Sequence, residues 1–135
     1  MRRIQLCVVM AGLVLSGCGS KEGLREDVVA CSAYLTALNI EIMNGNSAFS
    51  NRVMERLVKT DAPDADEKRQ TLGRQLSDIG AGARRYRSDL DPARLSAIAE
   101  KERKTARDQV SKGRDAQAAA RIKSCIAAWD RLGAD

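Results

Sequence analysis

The sequence predicts an all-α fold, a small antiparallel bundle of four to five helices. Three observations carry that expectation. Apolar residues recur in stripes with a period near 3.5 residues, as the buried face of a helix requires. The stripes are separated by short Gly, Asn and Pro signals. No strand-like alternation of useful length occurs. The chain has 135 residues, 44% of them hydrophobic and 30% charged, which fits one globular domain.

The first helical pattern runs from Leu24 through Val28, Cys31, Leu35, Leu38 and Ile42. Asn44-Gly45-Asn46 stops it, because Gly and Asn tolerate the left-handed conformation at a helix end. Ser47 then caps a short helix with Phe49, Val53 and Leu57 on one face. Thr60-Asp61-Ala62-Pro63 ends it and opens the next helix, with Pro63 expected inside the first turn. The third stripe is Leu72, Leu76, Ile79, Ala83 and Tyr86, interrupted by Gly80 and Gly82, which allow close packing or a bend. Asp91-Pro92 is the clearest boundary, with Asp as N-cap and Pro at the first helical position. The fourth stripe, Leu95, Ile98, Ala99, Ala106 and Val110, is the thinnest. Ser111-Lys112-Gly113 closes it, the alternative being one continuous helix. The last stripe is Ala118, Ile122, Cys125, Trp129 and Leu132, with Trp129 as the one large core plug.

Ahead of these patterns stands a different kind of segment. Met1-Arg2-Arg3 is a basic head, and Ile4–Val14 is apolar apart from Gln5. Eleven residues are far too few for the ~20 that cross a bilayer. A charged head, a short apolar run and a small-residue exit describe an export signal. Its exit, Leu15-Ser16-Gly17-Cys18, resembles the lipobox of bacterial lipoproteins: an aliphatic residue, two small ones, then Cys. The resemblance covers this leader alone.

It implies that residues 1–17 are removed and that the Cys18 thiol carries a diacylglyceryl group, the new amine being acylated as well. Two or three acyl chains hold a protein on a membrane almost permanently. Residues 18–23 would be the lipidated Cys and a short linker, and 24–135 the bundle. The residue after Cys18 is Gly, not the Asp that retains enterobacterial lipoproteins at the inner membrane. The resemblance therefore implies an outer-membrane anchor facing the periplasm.

On that reading Cys7 leaves with the leader and Cys18 bears lipid, so Cys31 and Cys125 remain. An oxidising compartment would join them, in the only pairing two cysteines allow. The closed loop spans 94 positions, worth roughly 4.6 kcal/mol in the chain-entropy picture. Cys31 lies seven residues after Leu24, and Cys125 seven before Leu132. Antiparallel packing of the first and last helices brings both sulfurs to one height and both termini to one end.

Little in the sequence points to catalysis. The chain has no histidine, which excludes Ser-His-Asp and Cys-His machinery and His-ligated metals. No CxxC pair occurs, which excludes a zinc ribbon or a thioredoxin-type motif. Asp61, Asp64, Asp66 and Glu67 lack EF-hand spacing and read as dipole-compensating residues at a helix start. Glu100, Lys104, Asp108 and Lys112 form a solvated stripe of i,i+4 pairs. Arg84, Arg85 and Arg87 around Tyr86 are the candidate anion or partner-binding patch, against the plainer reading of cations at a helix C-terminus.

The expectation is a non-enzymatic interaction or accessory module of the bacterial envelope, with an envelope protein as partner and no cofactor, metal or nucleic acid. The alternatives are an immunity, inhibitor or exclusion lipoprotein against a toxin, phage or conjugating element, and a cell-wall glycan binder or enzyme. Membrane-surface sensing through the basic helices is a further one.

Overall fold

The structure is a computed structural model that describes residues 21–134. Its elements are α1 (Lys21–Met43), α2 (Ser47–Leu57), α3 (Ala65–Tyr86), a 3-10 turn (Arg87–Asp89), α4 (Pro92–Ser111) and α5 (Asp115–Ala134). The all-α bundle is thus as the stripes predict, with no strand among the described residues.

Local signals account for the boundaries. α1 begins three residues before its apolar stripe, so residues 21–23 of the expected 18–23 linker are helical. Glu22 in this first turn complements the helix dipole. Gly45, at a φ of 107°, turns the chain out of α1, and the Asn46 side-chain amide donates to the Glu41 carbonyl at 2.8 Å. Pro63 lies in the turn before α3 and not inside its first turn, since Asp64 is the residue flanking the helix start. Asp91 caps α4 as expected, its carboxylate accepting from the Arg94 backbone N–H at 2.7 Å, with Pro92 first in the helix.

The alternative of one continuous helix through residue 113 is excluded. Gly113 has a φ of 65°, the Arg114 N–H donates to the Gln109 carbonyl at 2.8 Å, and the Gly113 N–H to the Val110 carbonyl at 3.2 Å. That paired pattern is a Schellman motif, which satisfies carbonyls that the helix end would otherwise orphan.

Helix directions follow from side-chain pairings. Glu26 meets Arg94 and Glu41 meets Arg107, so α1 and α4 run parallel. Cys31 meets Cys125 and, further along, Tyr34 meets Arg121, so α1 and α5 run antiparallel. Arg25 lies over the Tyr86 ring, so the start of α1 meets the end of α3. The four long helices therefore run up, down, up, down, and α2 sits at the far end, where Arg52 and Arg56 hold Asp115 at the start of α5. The Arg56 hydrogen bond, with the positive charges of Arg56 and Arg52, holds the Asp115 carboxyl below its ordinary range.

α1 is the central helix and packs against α3, α4 and α5, most extensively α4. This explains why its buried set is wider than one stripe: Val29, Ser32 and Tyr34 are buried along with Leu24, Val28, Cys31 and Leu38. The core has two parts. One, toward the far end, gathers Leu38, Phe49, Val53, Leu72 and Ile122 around Tyr34. The other gathers Val28, Ile79 and Ala83 around the two cysteines, with Trp129 and Leu132 partly buried against it.

Trp129 explains Gly82. A Cβ added at Gly82 would fall 2.3 Å from the indole Cζ3, whereas one added at Gly80 or Gly73 would meet nothing within 4 Å. We predict that Gly82→Ala destabilises the protein by about 1–3 kcal/mol through overpacking and shifts the emission of the single tryptophan. Gly80→Ala instead stabilises it by about 1 kcal/mol, the gain in helix propensity. Thermal melts of the two variants followed by fluorescence check the opposite signs.

Candidate functional site

The cysteines of α1 and α5 form the expected disulfide. Cys31 and Cys125 are bonded with a Cα–Cα separation of 5.6 Å, and both are fully buried. The bond ties the first helix to the last at the level of the second core cluster. Cys18 lies outside the described residues.

The arginine patch is divided by the helix end. Arg84 and Arg85 are exposed in the last turn of α3. Arg87 falls where the α-helix gives way to the 3-10 turn, and the chain turns there toward α4. Its side chain lines a groove of about 310 Å³ between α1 and α4. Ala33, Ala37, Ile40 and Ala99 contribute apolar surface to this groove, and Arg103 and Arg107 join Arg87 around it. Ile40 is 53% exposed. The sequence grouped Arg87 with Arg84 and Arg85, whereas the structure places its side chain beside Arg103 and Arg107 at this groove.

The acidic residues before and within α3 do not converge. Asp64 pairs with Lys68 and Asp66 with Arg69, each within its own helix turn. Among the described residues no group of three or more Cys, Asp or Glu side chains is placed to hold a metal ion. Glu100–Lys104 and Asp108–Lys112 form as i,i+4 pairs on the solvated side of α4.

The opposite side of α4 holds what the sequence did not mark. Glu102 and Gln109 are 5% and 6% exposed, on the same stripe as Ile98, Ala106 and Val110. Each has a partner from another helix. The Tyr34 hydroxyl donates to Gln109 Oε1 at 2.5 Å. Arg121 of α5 donates from Nη2 to Glu102 Oε1 at 3.1 Å, with its guanidinium 5.6 Å from the centre of the Tyr34 ring. The four side chains form one chain of contacts linking α1, α4 and α5. Buried polar groups are stable only when partnered in this way.

Glu102 and Arg121 also line a cleft of about 590 Å³ between these three helices. Ala30, Ala97, Ile98 and Ala128 give it apolar walls, and Lys101 stands beside Glu102. Arg94 lines it too, held by Glu26. The signal that could have located the cleft is the interruption of the fourth apolar stripe at position 102.

Burial pushes the Tyr34 phenol well above its ordinary value; the positive Arg121 opposes this and Glu102 adds to it. A raised folded-state pKa favours the protonated protein, so this contribution is complete below the unfolded value near 10 and is lost as pH climbs above it. We predict that one tyrosine resists ionisation in the folded protein and that stability falls above pH ~10. The alkaline loss is smaller in Tyr34→Phe, which is itself about 1–2 kcal/mol less stable because Gln109 loses its donor. Absorbance titration at alkaline pH, with and without urea, checks this.

No protein-family model, curated protein or solved structure matches the chain. The structure defines its class as a helical bundle whose first and last helices are joined by a disulfide.

Proposed function

We propose that the protein is a lipoprotein of the bacterial cell envelope, anchored through Cys18 to the outer membrane and facing the periplasm. There it acts as a non-enzymatic interaction module for another envelope protein. The observation that carries this reading is the sequence Leu15-Ser16-Gly17-Cys18 after a basic and then apolar leader. Two structural features support it. The Cys31–Cys125 bond suits an exported protein, because reducing compartments keep such thiols apart. α1 starts at Lys21, so only Gly19 and Ser20 separate Cys18 from the bundle. Such a leash spans at most ~11 Å and would hold the end carrying both termini against the lipid.

The arginine-rimmed groove supports the interaction part of the reading. Exposed Ile40 among guanidiniums suits a partner that brings an apolar side chain and acidic neighbours.

The test is metabolic palmitate labelling of cells producing the protein with a photo-crosslinking residue at position 40. We predict that the protein is labelled and that Cys18→Ser abolishes the label. We also predict that irradiation traps one defined envelope protein, which Arg103→Glu with Arg107→Glu releases. Labelling that persists in Cys18→Ser contradicts the anchor, and crosslinks unchanged by the charge reversal contradict the docking face.

A further inference from the structure

We propose that the cleft between α1, α4 and α5 binds a small amino-acid zwitterion, with Glu102 receiving its ammonium and Arg121 its carboxylate. The proposal goes beyond the interaction reading and concerns the opposite side of α4 from the arginine groove.

A carboxylate that is 95% buried on the inward stripe of α4 would ordinarily be replaced by an apolar residue, since packing alone gives a more stable core. Here Ile98 and Ala106 occupy the neighbouring positions of that stripe, and Glu102 faces a cleft of about 590 Å³. That volume lies within the range of small-molecule sites, about 300–1,000 Å³.

Both charged groups keep unused hydrogen-bonding capacity. An ionised carboxylate offers about four acceptor positions and a guanidinium five donors. The Glu102–Arg121 contact is a single bond, from Nη2 to Oε1. It is not the two-fold fork that uses the geometry of both groups most fully. The wall of the cleft thus presents an anion and a cation side by side, both with bonding positions to spare.

The pair is also held by its neighbours. Stacking on the Tyr34 ring fixes the Arg121 guanidinium, and the hydroxyl of that ring is itself held by Gln109. Cys31, pinned by its disulfide, lines the same cleft. A site held this way needs little ordering when a ligand binds, which favours affinity.

The complement of adjacent fixed charges of opposite sign is a molecule with an ammonium and a carboxylate on neighbouring atoms. Two independent small ions would each have to be desolvated and ordered separately, so one zwitterion is the better fit. Ala30, Ala97 and Ala128 are small, which leaves room for a short side chain.

The experiment is calorimetric and NMR titration of the purified, disulfide-bonded protein with glycine, L-alanine, methylamine and acetate. Glycine and alanine are expected to bind saturably, perturbing amides of α4 and α5 around residues 97–102 and 121–128. Methylamine and acetate are expected to bind at least about tenfold more weakly, each lacking one half of the pairing. Glu102→Gln is expected to weaken glycine binding by about tenfold. Ala97→Trp, which fills the cleft from an exposed wall position and leaves both charged residues in place, is expected to abolish it. No saturable response to glycine or alanine overturns the proposal. So does equal binding of glycine and acetate, or binding unchanged in Ala97→Trp. None of these readouts involves the membrane or a protein partner, so they fail or succeed independently of the anchored interaction reading.

Discussion

Replacing Cys31 and Cys125 together by alanine is expected to lower the stability of the protein by roughly 4 kcal/mol. The bond closes a loop of 94 positions and therefore constrains nearly the whole bundle in its unfolded state. Both residues are fully buried in the cluster with Val28, Ile79 and Ala83, and alanine keeps that environment apolar. The loss is therefore mainly one of chain restriction, with a smaller packing deficit from the missing sulfurs. Set against a typical total of about 5–15 kcal/mol, it consumes a large share of the stability. Urea denaturation of the oxidised protein, the reduced protein and the double variant measures it. The last two should unfold at similar, much lower urea concentrations. Equal midpoints for all three would show that packing alone holds α1 to α5.

The second large effect concerns the charge pair inside the bundle. Arg121→Met is expected to cost about 3 kcal/mol, because it strands the Glu102 carboxylate among apolar neighbours. The Glu102 side chain is 7% exposed and that of Arg121 29%, so solvent relieves the arginine more than the glutamate. The double variant Glu102→Leu with Arg121→Met is expected to recover most of the loss and to match or exceed the parent. Its inward stripe is then apolar from Ile98 through position 102 to Ala106. Thermal or urea unfolding of the parent, the single variants Glu102→Leu and Arg121→Met, and the double variant yields the coupling between the two positions. Additive single and double effects would mean that the pair is not energetically coupled. Stability recovered in the double variant, together with loss of glycine binding, would identify the pair as retained for the cleft.

How far the sequence carries depends on whether a feature is local. The helix stripes are local, so α1 to α5 can be read from spacing and from caps such as Asp91-Pro92 and Gly113. The disulfide can be read because the lipobox resemblance leaves two cysteines at matched distances from the bundle's ends. Tyr34 could not be read in the same way. It lies off the Leu24–Ile42 stripe and is buried only because α1 is surrounded by three helices. Glu102 and Gln109 look like solvated residues in a charged helix. Their partners, Arg121 and Tyr34, are 19 and 75 positions away. Arg84, Arg85 and Arg87 are adjacent in sequence, but the helix ends between the second and the third. Arg87 consequently belongs with Arg103 and Arg107 around a groove that no local pattern outlines. Gly82 is intermediate: a small residue in an apolar seam is visible, but its match to Trp129 requires the fold.

The most direct test of the account is the intact mass of the protein extracted from membranes without reductant and treated with a thiol-alkylating reagent. The expected species begins at Cys18, carries diacylglyceryl and acyl groups there, and takes up no alkyl group at Cys31 or Cys125. A chain still beginning at Met1 and free of lipid, or alkylated at both remaining cysteines, would contradict it.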